Sequence, residues 1–182
     1  TANLADDLNK QIDPIREQAA TRGATLLKDD NQIMNKLGDN MRIAYIGINA
    51  DTTTVLYESL HKNYARVEPK WMPKGSNGKN MRKILESLHN YNAVIVALHN
   101  VSSTPGNSYG LGDSVAAFLQ EVACKNNVMV ALMGNAYAMQ YFCGAQSVLV
   151  GYEDDSISQR IAGDVLMKKI KADRKSTRLN SS

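Results

Sequence analysis

Cysteine is nearly absent: 182 residues contain two, and Cys124 and Cys143 stand at no spacing that metal ligation uses. One pair makes no disulfide framework, so a core has to hold the fold. Both thiols sit in apolar helical contexts and read as buried and free. Long hydrophobic runs are missing as well. Nothing approaches the roughly 20 apolar residues that span a bilayer, and the start carries no leader pattern of basic, apolar and small residues. A real excess of charge is also lacking. The net +3 suggests nucleic acid only until it is located, because two of those three charges belong to Asp173–Ser182. The rest is close to neutral, without the electrostatic footprint of a nucleic-acid binder.

The missing motifs narrow the chemistry further. A dinucleotide fold needs Gly-x-Gly-x-x-Gly after its first strand so that backbone can approach the pyrophosphate. Here that position holds Gly47-Ile48-Asn49-Ala50-Asp51-Thr52, with side chains where glycines are required. No Gly-x-x-x-x-Gly-Lys-[Ser/Thr] run exists for phosphate, and Ser102 and Ser103 lack the Gly-x-Ser-x-Gly of a nucleophile elbow. His61, His89 and His99 are too scattered for a metal site. No cofactor and no metal is expected. Internal repeats and low-complexity segments are absent too.

What is present is a globular composition, 43% apolar and 21% charged, with length for one well-buried core. The chain is organised around Asn92-Ala-Val-Ile-Val-Ala-Leu-His99, an apolar run without polar alternation. That pattern is a strand buried on both faces, as in the middle of a parallel sheet. After it comes Asn100–Asp113, a polar, glycine-rich loop at the strand's carboxyl end.

Leu4, Leu8 and Ile12 recur at helical spacing as far as Asp13-Pro14, where a second helix is expected to start, with Asp13 as cap, and to run to Gly23. Ala24–Lys28 is a short strand. Met41–Ile48 is a core strand, followed by a loop of capping side chains at Asn49–Thr54 and a helix with Val55, Leu56 and Leu60 inward. Arg66–Trp71 is a strand whose Pro69 predicts an edge position. Met81, Ile84, Leu85 and Leu88 mark an amphipathic helix before the central strand. Beyond the long loop, Asp113 is expected to cap a helix with Val115, Phe118, Leu119, Val122 and Ala123 inward. Val128–Gly134 and Ser147–Gly151 are the last core strands, with an Asn135-capped helix between them. A final helix starts at Asp154-Asp155-Ser156.

Alternating strands and helices at this spacing predict a three-layer α/β/α sandwich on a mostly parallel, five- to six-stranded, flavodoxin-like sheet. In the order 2-1-3-4-5 the loops Asn49–Thr54 and Asn100–Asp113 flank the switch-point crevice, where such folds meet ligands. The candidate ligand-facing residues are His99, Asn100, Ser102, Ser103, Asn49 and Asp51. His99 suits either a base at the crevice or a hydrogen-bonded strand end, and no partner acid is identifiable for it. Glu153-Asp154-Asp155 reads as carboxylates complementing a helix N-terminus.

The order of these segments resembles a known domain. Glu17–Asn31, with Ala24-Thr25-Leu26-Leu27-Lys28-Asp29-Asp30-Asn31, is similar to the lead-in to the C-terminal domain of family-3 glycoside hydrolases. Ala93–Leu98, Val128–Gly134, Val148–Asp154 and Ala162–Leu166 look like its later strands and last helix. Gly151–Ser156 departs from the Pro-Gly-Gln-Glu-Gly-Gly turn of the β-glucosidase-like branch and looks more like the β-N-acetylhexosaminidase branch, whose members are often fused to a β-lactamase-type serine hydrolase. The resemblance implies residues 1–31 as a helical linker and 32–172 as the sandwich. It also implies an N-terminal barrel of the same polypeptide as partner, a carbohydrate substrate for the whole enzyme, and a bacterial periplasmic or secreted setting. No catalytic residue carries over, because the barrel supplies them. Residues 173–182 look like the in-frame translation of a sequencing-library adapter. With Thr1 in place of an initiator methionine, the expectation is an interior piece of a longer chain. The other reading is a stand-alone flavodoxin-like module whose Asn100–Asp113 loop holds a small polar ligand.

Overall fold

The computed structural model describes residues 2–30, 32–125, 127–142, 144–169 and 173–174. In chain order the elements are α1 (Ala2–Gly23), β1 (Thr25–Asp29), α2 (Ile33–Lys36), β2 (Ile43–Ile48), α3 (Val55–Asn63), β3 (Val67–Met72) and α4 (Gly78–Ser87). They continue with β4 (Ala93–Leu98), the single turn α5 (Gly106–Tyr109), α6 (Asp113–Ala123), β5 (Val128–Leu132), a 3₁₀ segment (Ala136–Phe142), β6 (Ser147–Val150), α7 (Ser156–Leu166) and β7 (Asp173–Arg174).

The sheet order is β3-β2-β4-β5-β6-β1-β7. From β3 to β6 every pairing is parallel, which gives the five core strands the 2-1-3-4-5 order. β1 then joins antiparallel to β6, with an irregularity between Leu26 and Lys28, and β7 lies parallel to β1. Pro69 lies in β3, the sheet's edge strand, where a missing N–H costs no ladder bond.

Burial on both faces explains why β2 and β4 lack alternation. Ala44, Ile46, Ile48, Val94, Val96 and Leu98 face a core shared with α4, α6 and the 3₁₀ segment. Ile43, Tyr45, Ala93, Ile95 and Ala97 face a second core with α3 and α7. Adjacent strand residues therefore serve opposite layers, and both layers demand apolar side chains. α3 packs on the side opposite α4 and α6 because the chain steps outward from β2 to β3 and then returns past β2 to β4, so right-handed crossovers in opposite directions fall on opposite faces. The switch point thus falls between β2 and β4, which run in register from Ile43↔Ala93 to Ile48↔Leu98.

Three local expectations need correction. α1 is one helix, with Pro14 inside it and Asp13 not a cap. An interior proline loses one N–H bond and crowds the carbonyl four residues before it; against that cost the second half is tied to α7 through Arg16–Asp155 at 2.8 Å and Glu17–Arg160 at 3.0 Å. α6 is N-capped by Gly112, not Asp113. Asp113 Oδ1 instead accepts from Ser108 Oγ at 3.1 Å. Cys124 is exposed, since it follows the last turn of α6 and leaves the buried stripe that ends at Val122 and Ala123. The other thiol, Cys143, lies outside the described residues, as do tail residues 175–182.

Candidate functional site

The two loops flagged in the sequence leave adjacent strands at the same rim of the sheet. β2 ends at Ile48 and β4 at Leu98, paired in parallel, and an asparagine in left-handed backbone stands beyond each, Asn49 directly, at φ 56°, and Asn100 after His99, at φ 51°. Asparagine accepts that region better than other side chains because its short amide can hydrogen-bond locally. Here the Asn100 Nδ2 donates to the Asn49 carbonyl at 3.2 Å. The rim is thereby stitched across its switch point.

Beneath the stitch lies a polar chain that sequence reasoning did not assemble. His99 extends β4 on the α3/α7 side and is 2% exposed. Its Nδ1 lies 2.8 Å from Asp154 Oδ1 and its Nε2 3.0 Å from the Tyr45 hydroxyl. The Tyr45 hydroxyl is in turn 2.8 Å from Thr54 Oγ1, the N-cap atom of α3, which accepts from Tyr57 N at 3.2 Å. Asp154 takes two more hydrogens, from the Asn100 backbone N–H at 2.7 Å and from Gln159 Nε2 at 2.9 Å.

The acceptors fix the direction of this chain. A carboxylate can only accept, so Asp154 holds the imidazole proton on Nδ1. In the neutral imidazole Nε2 is then an acceptor and takes the Tyr45 hydroxyl hydrogen, and Thr54 donates its own hydrogen to the Tyr45 oxygen while capping α3. The Tyr45 and Thr54 hydroxyls each donate once and accept once, His99 donates from Nδ1 and accepts on Nε2, and Asp154 only accepts, so every buried polar atom of the row has a partner. Burial, moderated by the Thr54 bond, pushes the Tyr45 hydroxyl well above the usual tyrosine range. Tyr45 is 0% exposed. With Tyr45 and His99 enclosed, the row ties the ends of β2 and β4 and the start of α3 together from beneath the rim.

This corrects two expectations. His99 does have a partner acid, Asp154, 55 residues away in sequence, and both of its ring nitrogens are hydrogen-bonded at the strand end. The acidic run after β6 also divides its duties. Asp155 is the N-cap of α7, accepting from Ser158 N at 2.7 Å. Burial pushes its carboxyl up, but hydrogen bonds from Ser158 and Arg16 outweigh that and leave it below the ordinary range. Asp154 turns away from the helix to His99. The signal that could have found it was positional: a carboxylate just past β6 and a histidine just past β4 both fall at the C-terminal rim in a 2-1-3-4-5 sheet.

The remaining candidates spread along that rim. Asn100, Ser103 and Asp51 are exposed, and Asn49 and Ser102 are half-buried. Ser102 Oγ pairs with Thr104 Oγ1 at 3.0 Å. Asn135, after β5, donates from Nδ2 to the carbonyls of Ser102 and Ser103 at 3.1 and 3.2 Å, which fastens the long loop to the next strand. Tyr152, after β6, is 42% exposed with φ 59°. Among the described residues no group of three or more His, Cys, Asp or Glu side chains could hold a metal, and no helix is long and apolar enough to cross a membrane.

No family model matches the sequence, and no curated protein matches it. Solved structures do resemble its fold. A glycoside hydrolase family 3 β-N-acetylglucosaminidase from Paenibacillus sp. str. FPU-7 superposes with a TM-score of 0.69 at 16% identity, over 86% of this chain and 30% of that one. A β-glucosidase from Listeria innocua gives 0.64 at 15% identity, over 84% and 25% of the two chains. A family 3 exo-β-xylosidase gives 0.58 at 15% identity, over 91% and 25%. The chain spans less than a third of the length of these proteins, and at such identities the likeness is one of fold.

Proposed function

We propose that this chain is the accessory α/β domain of a family-3 glycoside hydrolase, the C-terminal module that supports an N-terminal barrel of the same polypeptide. The whole enzyme would remove terminal β-linked N-acetylhexosamine or glucose from glycans, and the branch favoured by Gly151–Ser156 is the β-N-acetylhexosaminidase one. The observation that carries the reading is the pattern of coverage: 86% of this chain matches 30% of the Paenibacillus enzyme, so the likeness falls on one module of a longer protein. The rim chemistry agrees. Retaining hydrolysis needs two carboxyl groups about 5–5.5 Å apart and open to the sugar. Asp154 is engaged by three donors, and Asp155 caps a helix. Beside the exposed Asp51 and Glu153 carboxylates, the rim offers amides and hydroxyls, Asn49, Asn100, Ser102 and Ser103, suited to contacting a sugar that the barrel cleaves.

Two measurements test this. Reading the coding region upstream of Thr1 should find a barrel with a Lys-His-Phe-Pro-Gly-like segment; a start codon immediately before Thr1 would instead make the chain a stand-alone binding module. The purified 182-residue chain should release no nitrophenol from aryl N-acetylglucosaminide or glucoside. Turnover abolished by rim substitutions would overturn the non-catalytic role.

A further inference from the structure

The loop beyond His99 carries a stereochemical anomaly. Asn107, Ser108 and Tyr109 are consecutive, have side chains, and adopt φ of 50°, 54° and 58°. L residues avoid a left-handed turn because Cβ crowds the following carbonyl, and they visit it one at a time. Asparagine tolerates it; serine and tyrosine do not. Gly110 and Gly112 extend the positive-φ stretch at 79° and 80° without penalty.

Short-range hydrogen bonds and a few apolar contacts hold this turn. Asn107 O accepts from Gly110 N at 3.0 Å and Gly112 N at 3.1 Å, Leu111 N donates to Ser108 O at 3.2 Å, and Ser102 N donates to Tyr109 O at 2.8 Å. Ser108 Oγ reaches Asp113 at 3.1 Å. The apolar anchorage is Leu111, 6% exposed, and the Tyr109 ring set edge-on to Tyr141 at 6.4 Å. Leu111, Tyr109, Val101 and Tyr141 all belong to the α4/α6 core. Lifting the segment would release the backbone strain and lose these anchors together, so intermediate positions gain nothing. Two opposed terms of that kind make a bistable element.

We propose that Pro105–Gly112 is a strained strap that lifts as a unit, freeing the Ser102 amide from the Tyr109 carbonyl and parting the Tyr109 ring from Tyr141. The inference stands whether or not the domain serves a glycosidase. Amide hydrogen exchange on the whole chain tests it. Ser102, Gly110, Leu111 and Gly112 should share one opening constant, about a hundredfold or more above that of β4 amides. Ser108→Gly relieves the left-handed penalty, whereas Ser108→Ala loses the same hydroxyl and keeps the penalty. Exchange in Ser108→Gly should therefore be about tenfold slower than in Ser108→Ala. Protection equal to β4, unrelated rates among the four amides, or indistinguishable Gly and Ala variants would each overturn the proposal.

Discussion

Replacing Asp154 by asparagine probes the row beneath the rim with almost no change of shape. The carboxylate is 18% exposed and accepts three hydrogens, on Oδ1 from His99 and Gln159 and on Oδ2 from Asn100 N. An amide has one oxygen. Set toward His99, its NH₂ meets the Asn100 N–H donor to donor. Set the other way, its NH₂ faces the proton on His99 Nδ1, and the row must reverse through Tyr45 and strip Thr54 of a partner. Either choice forfeits one hydrogen bond to a charged group and weakens the others. At about 1.5–3 kcal/mol for a charged bond and about 1 for a neutral one, the loss is about 2–4 kcal/mol, the lower end applying if water reaches the exposed edge. For a chain of this size that lowers Tm by about 10 °C. Urea unfolding followed by Trp71, the single tryptophan, whose ring lies 5.7 Å from that of Tyr45, reads the same quantity, and an unchanged m-value would place the effect in the folded state. Paired with His99→Gln in a double-mutant cycle, the two losses should overlap by about 1 kcal/mol or more. A loss under about 0.5 kcal/mol, or strict additivity, would mean that the row does not hold the rim and would refute the reasoning.

Other outcomes follow from the same geometry. Gly163→Ala should destabilise the fold by about 1–2 kcal/mol: alanine gains up to about 1 kcal/mol of helix propensity, but its Cβ would stand 2.8 Å from Ser59 Cβ, where α7 meets α3. Calorimetry decides the sign. Tyr45 is raised by burial, so the stability it contributes is whole below the unfolded value near pH 10 and lost as pH climbs through the higher folded value. The urea midpoint of Tyr45→Phe should therefore fall less steeply than that of the parent chain above about pH 10. Asp155 is depressed, so its contribution is present above the unfolded value near pH 4 and lost as pH drops through the lower folded one. Asp155→Asn keeps a capping side chain and should flatten the acid limb of an unfolding-versus-pH curve, while leaving midpoints at pH 7 within about 1 kcal/mol of the parent.

The strand sequence, the sheet order and the edge place of β3 were legible because each rests on local pattern. Ala93–Leu98 is apolar throughout because two layers cover it, and Pro69 can be spared only at an edge. Two caps were readable as well: Thr54 closes the loop of capping side chains and Asp155 lies in the acidic start of the last helix, and each accepts from a backbone N–H in its helix. Reading failed where two local rules competed. At Asp113 the glycine before it took the cap, and at Pro14 the helix ran through. At Cys124 the apolar context belonged to the preceding turns and stopped one residue short of the thiol.

The sequence by itself determined the layers, the crossovers and the rim at which the polar loops emerge, because hydrophobic periodicity and turn chemistry act over a few residues and are written along the chain. Which of those polar groups meet was decided only by tertiary structure. Tyr45, His99 and Asp154 are separated by 54 and 55 residues, and no local rule relates them. They come together because parallel pairing of β2 with β4, and the return of β6, deliver three strand ends to one edge of a buried layer. There each polar atom must find a partner or forfeit the solvation it left behind.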